Sequence, residues 1–158
     1  MSYIIRQAKP EDIEIVFELM KSLAIYEKME DEFVTNPDTL RKNIFEDQFA
    51  SVLILEESDV PVGFALYFFN YSTFLGKPGL YLEDLFIDPA SRGKGYGKAL
   101  LAELARIAKE KNCGRMEWAV LNWNDPAIEF YKSLGAKPMD TWTVYRLEHD
   151  KIEELSKK

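Results

Sequence analysis

The stretch Arg92-Gly93-Lys94-Gly95-Tyr96-Gly97, followed by Lys98, has the residue types to hold an anion. Glycines let a backbone adopt unusual dihedrals, turn its N–H groups outward and approach a ligand closely. A helix opening near Gly97 adds partial positive charge at its N-terminus, and Arg92, Lys94 and Lys98 add full charges nearby. The chemistry suits a phosphate or pyrophosphate; a glycine-rich turn without a ligand is the plainer alternative. Two nucleotide patterns fail. A dinucleotide fingerprint counted from Gly93 needs glycine where Lys98 stands, although Glu117 lies at a suitable distance downstream. A P-loop ending at Gly97-Lys98 needs Ser or Thr at Ala99 and glycine at Arg92.

Glu83 and Asp84 interrupt the apolar run from Leu80 to Ile87, where charge is costly unless paired or functional. Such a carboxylate either accepts a proton from a reacting group or pairs with a buried base. In a regular strand adjacent residues face opposite sides, so only one of the two is expected to point into a given cleft. Other chemistries have little support. No His/Cys/carboxylate cluster has metal-ligand spacing, so no metal site is expected. The lone Cys113 excludes an internal disulfide and reads as a small residue at a helix end. The one histidine, His149, sits near the C-terminus, far from any triad pattern. Tyr67, Phe68, Phe69, Tyr71, Phe74 and Tyr81 could line a channel for a cation, with core packing the default for most of them.

The elements that must position these groups follow from period and punctuation. Tyr3 to Arg6 reads as an opening strand, and Pro10 as the first turn of a helix with Ile13, Val16, Phe17, Met20 and Leu23 on its buried face. Asn36-Pro37 starts a second helix carrying Leu40 and Ile44. Val52–Leu55 and Val62–Phe69 are strands joined by the turn Ser58-Asp59-Val60-Pro61, and the loop Gly76–Gly79 precedes a strand over Leu80–Ile87. Leu100, Leu101, Leu104, Ile107 and Ala108 make the stripe of a helix that Gly114 should stop. Met116 to Leu121 is a strand, Asn124-Asp125-Pro126 starts a short helix ending at Gly135, and Thr141 to Leu147 is expected as a last strand. Hairpins followed by crossover helices imply a mixed sheet in an α/β layered domain.

Length and composition agree with one domain over residues 1–158. Hydrophobic residues are 47% of 158, with ten Phe, eight Tyr and three Trp, enough to close a core. The apolar runs are too short to span a bilayer, and Met1 to Arg6 lacks the pattern of a signal peptide, so a cytoplasmic protein without membrane partners is expected. A net charge of −7 argues against nucleic acid as a partner. It is compatible with cationic substrates and equally with an ordinary soluble surface.

Arg92-x-x-Gly95-x-Gly97, after a strand and opening a helix, resembles the acetyl-coenzyme A pyrophosphate loop of the GCN5-related N-acetyltransferases (GNAT). Four strings resemble the diamine (spermidine/spermine) acetyltransferase branch: Leu23-Ala24-x-Tyr26-Glu27, Val62-Gly63-Phe64-Ala65, Leu80-Tyr81-Leu82-Glu83-Asp84 and Trp123-Asn124-x-Pro126. The resemblance implies a three-layer α/β domain with a central mixed, mostly antiparallel sheet flanked by helices. It implies acetyl-CoA as cosubstrate, contacted by Leu85, Phe86 and Ile87, by Arg92, Gly93, Lys94, Gly95, Tyr96, Gly97 and Lys98, and by Asn124, Asp125, Pro126 and Ala127. It implies Glu83 as base and Tyr131 as general acid. A small amine would be held by Tyr26, Glu27, Glu83 and Asp84, with Glu117, Trp118 and Ala119 on the next strand. A homodimer is the expected assembly. Leu134 departs from the branch, where a basic residue often follows the tyrosine by three places. A protein N-acetyltransferase and a catalytically silent acyl-CoA sensor are the alternatives; the joint presence of Glu83 and Tyr131 argues against the sensor.

Overall fold

Every residue from Val52 to Leu55 is buried, so the strand that carries them has apolar layers on both faces. The computed structural model describes residues 2–158. The chain divides into two compact units, residues 1–119 and 120–158.

In the first unit the order is β1 (Tyr3–Gln7), α1 (Ile13–Tyr26), α2 (Pro37–Arg41), β2 (Ser51–Glu57), β3 (Val60–Ser72), β4 (Lys77–Ile87), α3 (Tyr96–Glu110) and β5 (Arg115–Trp118). The strands form one sheet in the order β1-β2-β3-β4-β5. Neighbours are antiparallel through β4, and β5 joins β4 in parallel after the α3 crossover. The expected mixed, mostly antiparallel sheet with helices is therefore present.

On one face Ile13, Val16, Leu19, Met20 and Leu23 of α1, with Ile44, pack against Val52, Ile54, Phe64 and Phe86. By strand alternation Leu53 and Leu55 point to the opposite face, where α3 packs on β2, β3 and β4 with Leu100, Leu101 and Leu104 buried. Each such side chain contributes roughly 1.5–3 kcal/mol by leaving water. Arg6 of β1 donates to both carboxylate oxygens of Asp12, at 2.7 and 3.0 Å, and to Glu56 of β2 at 3.0 Å. The guanidinium holds the Asp12 carboxyl below its ordinary range and ties the start of α1 to the sheet edge.

Several boundaries differ from expectation for identifiable reasons. The β2–β3 turn uses Ser58 and Asp59 alone, both at positive φ (49° and 68°). Val60 and Pro61 belong to β3, and Pro61 is tolerated because the ladder shifts register there, between Leu55 and Glu56 on β2. Lys77, Pro78 and Gly79 lie in β4, not in a loop. The left-handed residue that follows α3 is Asn112 (φ 57°), not Gly114. Gly114 serves close approach instead: a Cβ there would sit 2.8 Å from Leu75 Cδ1. The strand after α3 ends at Trp118, short of Leu121.

The second unit holds α4 (Asp125–Ser133) and α5 (His149–Ser156). The strand expected over Thr141–Leu147 does not form. Its Thr, Trp, Val and Tyr have high β-propensity, but that propensity reflects packing on a pleated neighbour. Among the described residues no strand pairs with this segment, and Val144 and Tyr145 are 90% and 93% exposed. The helix α5 was not signalled by the sequence reading. Among the described residues no helix is long and apolar enough to cross a membrane.

Candidate active site

The site is built around β4. Along β3 the register runs Leu66 to Asp84 and then Tyr67 to Leu82, so Glu83 is the extra residue of a β-bulge. On the other side the β5 ladder stops at Leu82–Trp118. From Glu83 to Ile87, β4 therefore has a strand neighbour on the β3 side only. That open edge is the backbone surface expected of Leu85, Phe86 and Ile87. Their side chains behave as core: Phe86 and Ile87 are buried and Leu85 is half-buried.

The expectation that only one of Glu83 and Asp84 points into a given cleft rests on regular alternation, which the bulge interrupts at these residues. Alternation assumes a regular pleat, and the extra residue breaks it. Burial pushes the Asp84 carboxyl up to about 7, with the charges of Glu83 and Glu27 adding to the rise. Glu27, the C-cap of α1, is itself raised by burial and then by Glu83. Glu27 and Asp84 thus both lie in the field of Glu83, which together with burial disfavours their ionised forms. Tyr81 lies beside them: burial raises its phenol, as do Glu83 and Glu117. Its ring stacks on Phe68 at 5.2 Å. Glu117 pairs with Tyr81 in the ladder and meets Arg115 Nε at 3.4 Å. Trp118 is half-buried opposite Leu82, and Ala119 lies exposed just past the end of β5.

The glycine segment connects β4 to α3 as expected. Gly93 and Gly95 both sit at φ 81°, a region that side-chain-bearing residues rarely adopt, with nothing within 4 Å of where a Cβ would stand. Gly95 is the N-cap of the 15-residue α3, and no side chain caps it. The first N–H to bond within the helix is that of Ala99, to Gly95 O at 3.0 Å. The N–H groups of Tyr96, Gly97 and Lys98 have no intrahelical acceptor, as at the start of any α-helix, and such free donors with the helix dipole suit an anion. A pyrophosphate fits such a cradle.

Two of the three flanking bases are engaged within the protein. Arg92 donates from Nε to the Ile87 carbonyl at 2.9 Å, and its guanidinium lies over Tyr26 and Phe86. Lys94 donates to Glu57 at 2.8 Å. Lys98 is exposed. The Tyr96 hydroxyl also donates to Glu57, which pushes the phenol up to about 12, and its ring packs on Tyr3 with centroids 5.2 Å apart. The sequence reading missed Glu57 and Tyr3, because only the tertiary fold brings them to residues so distant along the chain.

In the second unit, Asn124 Oδ1 accepts from the Ala127 N–H at 3.4 Å and caps α4, with Asp125 and Pro126 in the first turn. Tyr131 lies on α4 with its ring 5.8 Å from that of Phe130. Leu134 is the residue that ends this helix. Among the described residues no cluster of His, Cys, Asp and Glu could hold a metal ion.

The profile of the acetyltransferase (GNAT) family matches residues 5–136. A thialysine N-epsilon-acetyltransferase of Sus scrofa is 35% identical, with 99% of each chain covered. An L-ornithine N5-acetyltransferase of Arabidopsis thaliana is 30% identical, over 97% of this chain and 87% of that one. Among solved structures, an integron cassette protein from the mobile metagenome of V. cholerae superposes with a TM-score of 0.81 at 29% identity, covering 100% of this chain and 99% of its own.

Proposed function

The chain is an N-acetyltransferase that belongs to the GNAT family, and we propose that it acetylates a primary amine of a small polyamine or lysine-like substrate. GNAT acetyltransferases use acetyl-CoA, which when bound supplies an activated acetyl thioester. In this reading the cradle from Gly93 to Lys98 receives the pyrophosphate, and the open edge of Leu85, Phe86 and Ile87 receives the amide-rich arm. Asn124 to Ala127 form a second contacting segment.

A lysine-like amine has a pKa near 10.4, so reaching its neutral form at pH 7 costs about 4–5 kcal/mol. Glu83 accepts that proton, directly or through water. Tyr131 returns a proton to the departing sulfur. Glu27 and Asp84 hold a second nitrogen that stays protonated, whose charge offsets the burial and the neighbouring carboxylates that raise both groups. Amine attack thus asks for a substrate with two cationic groups, or one cation and a polar end. The observation that carries the reading is the bulge at Glu83, which sets a cluster of carboxylates beside an open strand edge. The thialysine and ornithine acetyltransferases among its relatives support a short dibasic substrate. A homodimer is part of the reading, supported by the branch resemblance.

The test is acetyl-CoA-dependent acetylation of a panel: thialysine, ornithine, lysine, putrescine, spermidine and a histone-like peptide at fixed salt. Short dibasic amines should exceed the peptide in kcat/KM by about tenfold or more. A clear win for the peptide would move the chain to protein acetylation. Coenzyme A binding without turnover of any amine would make it a sensor.

A further inference from the structure

We propose that Glu57 is a positioning residue for the anion-binding loop, holding the turn at Gly95 in its ligand-ready shape from the C-terminal end of β2. The inference rests on the acetyl-CoA reading of that loop. Glu57 is the last residue of β2 and pairs with Tyr3 of β1. Its side chain is only 17% exposed, and it accepts from Lys94 Nζ at 2.8 Å and from the Tyr96 hydroxyl. These donors are the two residues that flank Gly95. One carboxylate therefore bridges the turning point of the loop, while the buried Tyr96 ring, packed at a tilt on Tyr3, fixes the first residue of α3.

The loop needs such a brace. Gly93 and Gly95 have no side chains to anchor them, and no atoms lie within 4 Å of their Cβ positions. Glycine loses more conformational freedom on ordering than any other residue. An unbraced loop would lose that freedom when ligand binds, whereas a braced one has already lost it. The pairing also changes the role of Lys94. With its ammonium compensated by Glu57, attraction for an anion rests on the backbone N–H groups, the α3 N-terminus and the charges of Arg92 and Lys98, and Lys94 acts as a strut.

The test uses the intact protein with Glu57→Leu, which removes both contacts, and Tyr96→Phe, which removes one and keeps the ring. Calorimetric titration with coenzyme A should show Kd raised about tenfold in Glu57→Leu and about threefold in Tyr96→Phe. With thialysine as acceptor, kcat of Glu57→Leu at saturating acetyl-CoA should stay within about twofold of wild type. S-acetyl-pantetheine lacks the pyrophosphate, so its kcat/KM should be the same in wild type and Glu57→Leu. Unchanged or tighter coenzyme A binding in both variants would overturn the role, as would equal losses with acetyl-CoA and S-acetyl-pantetheine. A wild-type protein that fails to bind coenzyme A would overturn the cofactor reading as well, which separates the two failures.

Discussion

The guanidinium of Arg92 lies 4.4 Å from the centroid of the Tyr26 ring, joining the start of the glycine loop to the last residue of α1. Arg92 is simultaneously tethered to the Ile87 carbonyl, and Tyr26 precedes Glu27 of the carboxylate cluster. One side-chain stack thus connects the proposed cofactor cradle with the proposed amine site. A cation–π contact of this kind is worth roughly 0.5–2 kcal/mol. Tyr26→Leu should therefore raise KM for acetyl-CoA and for the amine together, each by about 2- to 30-fold, while Tyr26→Phe keeps the ring and stays near wild type for acetyl-CoA. Initial rates over a grid of both substrates decide it. A rise in the amine KM alone would show that the stack carries no connection.

Gly95 carries the backbone requirement of the cradle. Space is not the obstacle, since nothing lies within 4 Å of its Cβ position; the φ of 81° is. A β-branched residue tolerates that dihedral poorly, so Gly95→Val should turn the N–H groups at the start of α3 away from the ligand. Coenzyme A affinity should fall by at least about tenfold, with the circular dichroism of the folded protein unchanged. Wild-type affinity in a folded variant would remove the loop from cofactor binding.

Glu83 and Tyr131 are expected to fail differently. Lost general-acid catalysis typically costs about 10²–10⁴, so Tyr131→Phe should lower kcat by that range and leave coenzyme A affinity nearly constant. Glu83→Gln should impair use of the amine, with a deficit that shrinks as pH rises and neutral amine becomes abundant. Single-turnover rates across pH 7 to 9.5 distinguish the pair. Near-wild-type kcat in Tyr131→Phe leaves that ring a packing role on α4.

The parts of the fold that could be read from sequence are those governed by local rules. The buried stripes of α1 and α3 follow helical period, the Asn36 and Asn124 caps follow from short polar side chains before proline, and the glycine loop sits between strand and helix as expected. The misses all depend on a neighbour. The bulge at Glu83 exists only relative to the β3 ladder, and the charge of Glu83 acts on both Glu27 and Asp84. Thr141 to Leu147 has strand chemistry without a strand to pair with. Lys94 reads as a phosphate ligand until Glu57, 37 residues earlier in the chain, is seen to take its ammonium. Residue type forecast the charges at the site; their partners required the fold.

Asp84 gives a prediction in which the sign is informative. Its carboxyl titrates near 3.9 in an unfolded chain and is pushed up to about 7 in the native protein by burial, Glu83 and Glu27. Between those values the native state binds more protons than the unfolded state, so stability falls as pH rises from about 4 to about 7 and levels off above that. Asn keeps the shape without the charge. Asp84→Asn should therefore match wild type in Tm near pH 4 and exceed it at pH 8, by an amount on the order of 2 kcal/mol after allowance for screening. A polycation should close the gap from the other side. Spermidine at pH 8 supplies the ammonium that makes the ionised carboxylate favourable, and it should raise the wild-type Tm more than that of the variant. Calorimetric melts at pH 4, 6 and 8, with and without spermidine, measure both effects. If the two proteins melt together at pH 8, Asp84 is solvated like an ordinary carboxylate and the cluster holds no unmet charge for a substrate to satisfy.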